Sequence, residues 1–264
     1  MAFAIALDGT KLFYETLGTG EPLLLVMGQG SDHHGWDRVR EDFAARYQVI
    51  VYDHRGTGQS DKPQTAYSTR LFASDAVAIL DHLQIAQAHV YGISMGGRIC
   101  QWLAIDYPER VITAVLGCTT PGNKFGVKRP FAVDQLMMSQ DSSAIEAELV
   151  SPEWIATQPD YIRWREEAEQ NPMPEFARLL HYQASENHDS WADLPNITAP
   201  TLVIHGDNDR INMTANAYLL ADRIPHAELH IIKGGRHLYY EEFRQESSQV
   251  VIDFLAKHRV NANL

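Results

Sequence analysis

Three runs in this chain, Leu23 to Met27 (LLLVM), Val49 to Tyr52 (VIVY) and Thr201 to Ile204 (TLVI), are apolar without alternation. A strand with one wet face alternates apolar and polar residues, so a strand that reads apolar throughout must be covered on both faces. Further β-rich runs at Lys11 to Thr16, Ala88 to Tyr91, Val111 to Cys118 and Glu228 to Ile232 are spaced along the chain. Between them, Leu71 to Leu83, Met95 to Tyr107 and Glu241 to His258 carry apolar residues at three- and four-residue spacing, and Pro108 offers a stop for the second. Strands alternating with helices predict an α/β fold: a doubly wound, mostly parallel sheet with helices on both sides.

One stretch breaks the rhythm. From Pro121 to Pro195 no strand run occurs, and the sequence is helical, charged and interrupted by prolines. Between two strands of one sheet, such a block reads as a helical insertion over the sheet, not as a tandem domain. The expected organisation is a core of residues 1–120 and 196–264 with an inserted helical cap at 121–195. The insertion holds 6 basic and 13 acidic residues, net −7, more than half of the −12 of the 264-residue chain. That balance argues against binding nucleic acid or an anionic membrane, which require clustered cations, and biases the covered site against anionic substrates. Two cysteines in apolar runs, Cys100 and Cys118, fit a reducing compartment. With no apolar stretch near the ~18 residues of a membrane span and Asp8 too early for a secretory leader, a cytoplasmic location is expected.

Gly92-Ile93-Ser94-Met95-Gly96 lies directly after the strand-like AHVY and directly before a helical run. A serine in a strand–turn–helix of this kind sits on a strained turn with its hydroxyl exposed, and glycines flank it because the two backbones approach too closely for side chains. Its hydroxyl needs a base to take the proton, and the base needs a partner that fixes its tautomer. Asp209, just past TLVI, and His237, after Gly234-Gly235-Arg236 and past LHII, supply both in that order. Three reactive side chains beyond the carboxyl ends of parallel strands converge where α/β sheets place ligands. Asp207, two residues from Asp209, is the rival for the acid and reads as a residue tying the turn. Metal spacing patterns are absent from the sequence, and no cofactor is expected. His33 and His34, in the loop after LLLVM, stand where they could line a substrate entrance.

These motifs, LLLVMGQG followed by Trp36, YDHRGTGQS at Tyr52 to Ser60, GISMG, HGDNDR and GGRH followed by Glu241, resemble the α/β-hydrolase family over essentially the whole chain outside the insertion. The resemblance implies Ser94 as nucleophile, Asp209 as acid and His237 as base. It also implies an oxyanion hole from the backbone N–H groups of Gln29 and Met95. Met95 follows from physics as well, because its N–H opens a helix whose dipole favours negative charge. Gln29 rests on the resemblance alone, and Met27-Gly28 departs from the commoner His-Gly pair. Asp53, Arg55 and the glycines of the 53–60 loop read as scaffold, an acid–base pair and tight turns shaping the floor of the site. Gly28, His33, Trp154 and Trp164 are the candidate substrate contacts.

LLLVMG, YDHRGTGQS and GISMG together are similar to a subgroup containing methyl esterases of polyketide metabolism. The expected activity is hydrolysis of a small carboxylic ester through an acyl-enzyme on Ser94. Rival readings are lactone or enol-lactone hydrolysis, C–C bond hydrolysis, cofactor-free haloperoxidation or perhydrolysis, and a ligand receptor of the same fold. The expected partner is a small-molecule ester or lactone, with a homodimer left open.

Overall fold

The computed structural model describes residues 2–137, 139, 141–169 and 172–259. Its strands are β1 (Ala2–Ile5), β2 (Lys11–Leu17), β3 (Glu21–Val26), β4 (Tyr47–Tyr52), β5 (Ala88–Ile93), β6 (Val111–Gly117), β7 (Thr201–Gly206) and β8 (Glu228–Ile232). They form one 8-stranded sheet in the order β1-β2-β4-β3-β5-β6-β7-β8. The β1·β2 and β2·β4 pairs are antiparallel, and every pair from β4·β3 to β7·β8 is parallel. The short α1 (Arg40–Ala44) precedes β4, α2 (Thr69–His82) precedes β5, and α3 (Met95–Asp106) follows it.

The unbroken apolar runs divide residue by residue between two cores. On β3, Leu24 and Val26 join the cluster containing Phe72 of α2 and Ile99 and Leu103 of α3, while Leu23 and Leu25 join the cluster containing Phe43 of α1. On β4, Ile50 and Tyr52 face the first cluster and Val49 and Val51 the second. Burying both faces removes every side chain of such a strand from water, at ~1.5–3 kcal/mol for each large aliphatic residue. The helix α3 ends where the sequence places it: Tyr107, before Pro108, leaves the helical region at φ −133° and ψ 52°.

Two local expectations change. The edge strand β1 was not evident from the sequence, because four residues on a sheet edge carry too little alternation to separate them from a loop. The expected helix Glu241 to His258 is two helices, α10 (Tyr239–Glu242) and α11 (Arg244–Lys257) in the numbering below, broken at Phe243, whose φ −111° and ψ 39° lie off the helical region.

Between β6 and β7 the described residues form five α-helices, α4 (Phe131–Met137), α5 (Ser142–Leu149), α6 (Pro152–Ile155), α7 (Pro159–Glu169) and α8 (Glu175–Glu186), and a 3-10 turn at Leu194–Asn196, and α9 (Ala215–Arg223) follows β7. Residues 138, 140, 170 and 171 of the expected insertion lie outside the described residues. The two ends of the stretch meet at an antiparallel bridge between Gly122 and Asp189. A Cβ on Gly122 would meet His188 O at 2.2 Å, so only glycine allows that closure. His181 of α8 reaches the core through Nε2, 2.8 Å from Arg55 O, and Val127 exchanges two hydrogen bonds with Asn216 of α9. No described helix is long and apolar enough to cross a membrane.

The 53–60 loop is scaffold, but Asp53 and Arg55 do not pair with each other. Arg55 grips Asp75 of α2 through Nε and Nη2 at 2.7 and 2.6 Å and Asp8 through Nη1 at 2.7 Å. Asp53 accepts instead from the backbone of His33 and Gln59 and meets His33 Nδ1 at 2.6 Å. Arg55 and Asp75 are each 1% exposed, so deleting Asp75 leaves the buried guanidinium with only the half-exposed Asp8 as its counter-charge. Asp75→Ala is expected to lower unfolding free energy by about 3 kcal/mol in urea melts, and Asp75→Leu combined with Arg55→Met to recover most of it.

Candidate active site

Ser94 links β5 to α3 with φ 54° and ψ −120°, a backbone that residues with side chains rarely adopt. The sequence around it permits this turn by omitting side chains. A Cβ on Gly92 would meet Gly96 O at 2.2 Å, and one on Gly96 would meet Val26 O at 2.1 Å. The Ser94 backbone is fixed from both sides: its N–H donates to Gly117 O at 2.9 Å, and its C=O accepts from Gly97 N and from Thr119 Oγ1 at 2.7 Å. The half-buried side chain carries a hydroxyl that makes no hydrogen bond to a described residue. Gly28 lies beside it, where a Cβ would approach Ser94 Cβ to 3.3 Å. Met95 is the first residue of α3, so its N–H has no acceptor within the helix. Gln29 stands exposed in the turn after β3.

The other two candidates meet across the ends of β7 and β8. His237 Nδ1 lies 2.8 Å from Asp209 Oδ2, with His237 4% and Asp209 2% exposed. Asp209 Oδ1 accepts from the N–H groups of Ile211 and Asn212, both at 2.9 Å. Burial alone would raise the Asp209 pKa, but the charge of His237 and hydrogen bonds from His205 and His237 outweigh it and hold the carboxyl well below the usual range. The carboxylate therefore stays ionised at neutral pH and holds His237 through Nδ1.

Asp207 is spent elsewhere, accepting from Gly234 N at 2.6 Å and so tying the two loops together. Asn212 Nδ2 donates to Cys118 O at 2.6 Å, and Cys118 follows the strand end that holds Ser94. A continuous set of short contacts thus runs from Ser94 through the end of β6 to Asp209 and His237. No hydrogen bond joins Ser94 Oγ to His237 among the described residues; that contact is commonly long in an unliganded site and tightens around substrate.

Sequence reasoning missed His205. Its Nε2 lies 2.7 Å from Asn212 O and 3.1 Å from Asp209 Oδ2, fully buried. It opens the HGDNDR motif, yet the motif gives it no role, because the chain must turn back through residues 206–212 before the two meet.

Three candidate contacts fall outside this arrangement. His33 is 1% exposed with its ring committed to Asp53 and packed at a tilt against His34 at 4.0 Å between centroids, so it braces the loop and does not line an entrance. Trp154 lines a groove of about 680 Å³ with Arg38, Gln158, Glu241 and Glu242, and none of Ser94, Asp209 or His237 lines that groove. Trp164 packs on Tyr161, which also meets Trp154 edge-on. Met173, absent from the expected contacts, lies over the loop after β3, 3.8 Å from where a Gly30 Cβ would stand. Asp32, His33 and Asp53 bring one potential metal-ligating atom each within 4.8 Å of one another. The Asp53 and His33 atoms already bind each other, and Asp32 Oδ1 accepts from His34 N at 3.0 Å.

Glu241, four residues past His237, is 4% exposed, and burial pushes its carboxyl from 4.5 up to about 7 against the pull of Arg38 at 2.8 Å. A raised acid binds more protons folded than unfolded, so its stabilisation is complete below pH 4.5 and is lost as pH rises to about 7. Glu241→Gln is expected to gain about 3 kcal/mol on the parent between pH 4 and pH 8 in urea melts. A pH-independent difference would place the titration elsewhere.

Comparison with known proteins follows the same outline. Residues 21–148 match the family model described as alpha/beta hydrolase fold. The chain is 31% identical to 3-oxoadipate enol-lactonase 2 of Acinetobacter baylyi over 84% of its own length and 85% of the relative's. It is 30% identical to rhodomycin D methylesterase DauP of a Streptomyces species, covering 88% and 91%. The crystal structure of a hydrolase from Pseudomonas aeruginosa PA01 superposes with a TM-score of 0.83 at 28% identity, covering 96% of this chain and 97% of that one.

Proposed function

Because the chain belongs to the alpha/beta hydrolase family, we propose that it is a serine hydrolase that cleaves a small, uncharged carboxylic ester through an acyl-enzyme on Ser94. The observation that carries this reading is the buried His237–Asp209 contact of 2.8 Å set across the strand ends from a serine held at φ 54°. In this mechanism His237 Nε2 takes the Ser94 proton as Oγ attacks the ester carbonyl, and Asp209 stabilises the imidazolium that forms. The tetrahedral oxyanion accepts from the N–H groups of Met95, at the positive end of α3, and Gln29. His237 then protonates the departing alcohol. Water attacks the acyl-enzyme with His237 again as base, the acid leaves, and Ser94 is restored. The 121–195 insertion serves as the cap over this site, with Met173 at its inner edge.

The preference for an uncharged substrate rests on how the insertion's cations are used. Arg163 pairs with Asp160, Arg165 lies 3.0 Å from Glu146, and Lys124 is 70% exposed beside Asp189. Arg129 pairs with Asp134 and Glu186. The buried Arg98 of α3 donates to Ser185 O and Oγ. A second carboxylate on the substrate would meet a net charge of −7, with these cations engaged and the insertion's other two, Lys128 and Arg178, exposed.

Ser94→Ala should lower turnover of short p-nitrophenyl esters on the order of 10⁴-fold or more, and intact-mass measurement should find the acyl adduct on the parent and not on the variant. Retained turnover by the variant sinks the assignment. In the same assay neutral methyl or ethyl esters should outpace dicarboxylate analogues. Lactones faster than every linear ester by orders of magnitude would make the substrate a cyclic ester, and labelling of Ser94 without sustained turnover would make the protein a receptor.

A further inference from the structure

The helix α5 ends against the loops that carry Asp209 and His237. The last carbonyls of a helix have no partner inside it and must find donors elsewhere. Here the donors flank the histidine: Arg236 Nη1 donates to Ala147 O, and Leu238 N donates to Leu149 O at 2.9 Å. The residue after the aspartate joins the same turn, with Arg210 Nη1 2.8 Å from Glu148 Oε1. Beyond the helix, Ser151 N and Oγ both donate to the carboxylate of Glu242, so the seam continues past the histidine into α10. These contacts join points 62 to 91 residues apart in sequence. Three consecutive residues, 147–149, touch the neighbours of both the acid and the base, and a cation meets the negative end of the helix.

We propose that residues 147–149 of the insertion brace the Asp209 and His237 loops, making Arg236 and Arg210 positioning residues for the base. The inference rests on the Ser94–His237–Asp209 reading and adds that the insertion does more than shape a pocket. Neither arginine needs to touch substrate. Arg236 through its side chain and Leu238 through its backbone N–H tie both neighbours of His237 to α5, which limits displacement of the loop that carries the imidazole. An Ångström-scale misplacement of such a group costs up to ~10²-fold in rate.

The discriminating probe is a small fluorophosphonate, whose reaction with Ser94 needs the base but no contact with the insertion. In Arg236→Ala, the labelling rate and kcat for a p-nitrophenyl ester should both fall about tenfold or more, with KM changed less than about threefold. Arg236→Lys, which keeps a donor for Ala147 O, should recover most of the labelling rate. Glu148→Gln, which removes the ion pair to Arg210 from the insertion side, should move labelling in the same direction by a smaller factor, with the melting temperature close to the parent's. Unchanged labelling with a raised KM would overturn the brace and leave the insertion as pocket wall only. A labelling loss that follows the melting temperature across all three variants, with no recovery in Arg236→Lys, would overturn it in favour of a scaffold role. If Ser94→Ala labels and turns over like the parent, the triad reading itself fails, whatever these variants do.

Discussion

At Ser94 the backbone holds a conformation that costs on the order of 1–3 kcal/mol, and the surroundings must over-determine it for it to persist. They do so by removing side chains. Gly92 and Gly96 let β3, β5 and α3 pass within van der Waals contact, since a single Cβ at either would fall about 2 Å from a carbonyl oxygen. Gly97 packs against the Thr119 side chain, which a Cβ there would meet at 2.6 Å, and the Thr119 hydroxyl in turn holds the Ser94 carbonyl. Close approach fixes where α3 begins, and the start of α3 fixes where the Met95 N–H stands relative to the serine. The two cores on either side of the sheet supply the stabilisation that keeps this crowded point from relaxing.

The second fixed point is a carboxylate with almost no exposure. Burying a charge is costly unless donors surround it. Asp209 satisfies this with two backbone N–H groups on one oxygen and two histidines at the other. His205 and Asn212 arrange those donors: the His205 ring binds the Asn212 carbonyl, and the Asn212 side chain binds Cys118 O at the end of β6. The geometry about the carboxylate therefore depends on three neighbouring strands being in register. The insertion adds a fourth support through α5, so the elements on both sides of the site share one network of hydrogen bonds.

Much of the fold was legible in the sequence, for identifiable reasons. The unbroken runs on β3, β4 and β7 marked strands covered on both faces, and the glycine-flanked serine marked the sharp turn. Asp209 and His237, which meet at 2.8 Å, could be picked out as candidates because each follows a strand closely, where local order and three-dimensional order coincide. The substrate contacts were less so. His33 sits in a loop after β3, as expected, yet its direction is set by Asp53, twenty residues away. Trp154, on the four-residue α6, meets Arg38, and Trp164 meets Tyr161 of its own helix, contacts that the spacing of apolar residues does not show in advance. Arg55 has a partner that spacing could not name: Asp75 lies on α2, a full element beyond the 53–60 loop.

By itself the sequence determined the class of fold and most of the order of its elements, and it singled out the serine, aspartate and histidine as candidates. It could do so because strand covering, glycine crowding and residue order are all written within a few neighbouring positions. Only the tertiary structure decided which side chains are free to meet a ligand and which are bound to the scaffold. His33, His205, Arg98 and Arg236 look alike in sequence as isolated cations or imidazoles. Their roles are set by partners 4 to 89 residues away, and hydrogen bonds over such separations depend on how the sheet and the insertion pack, which no local pattern encodes.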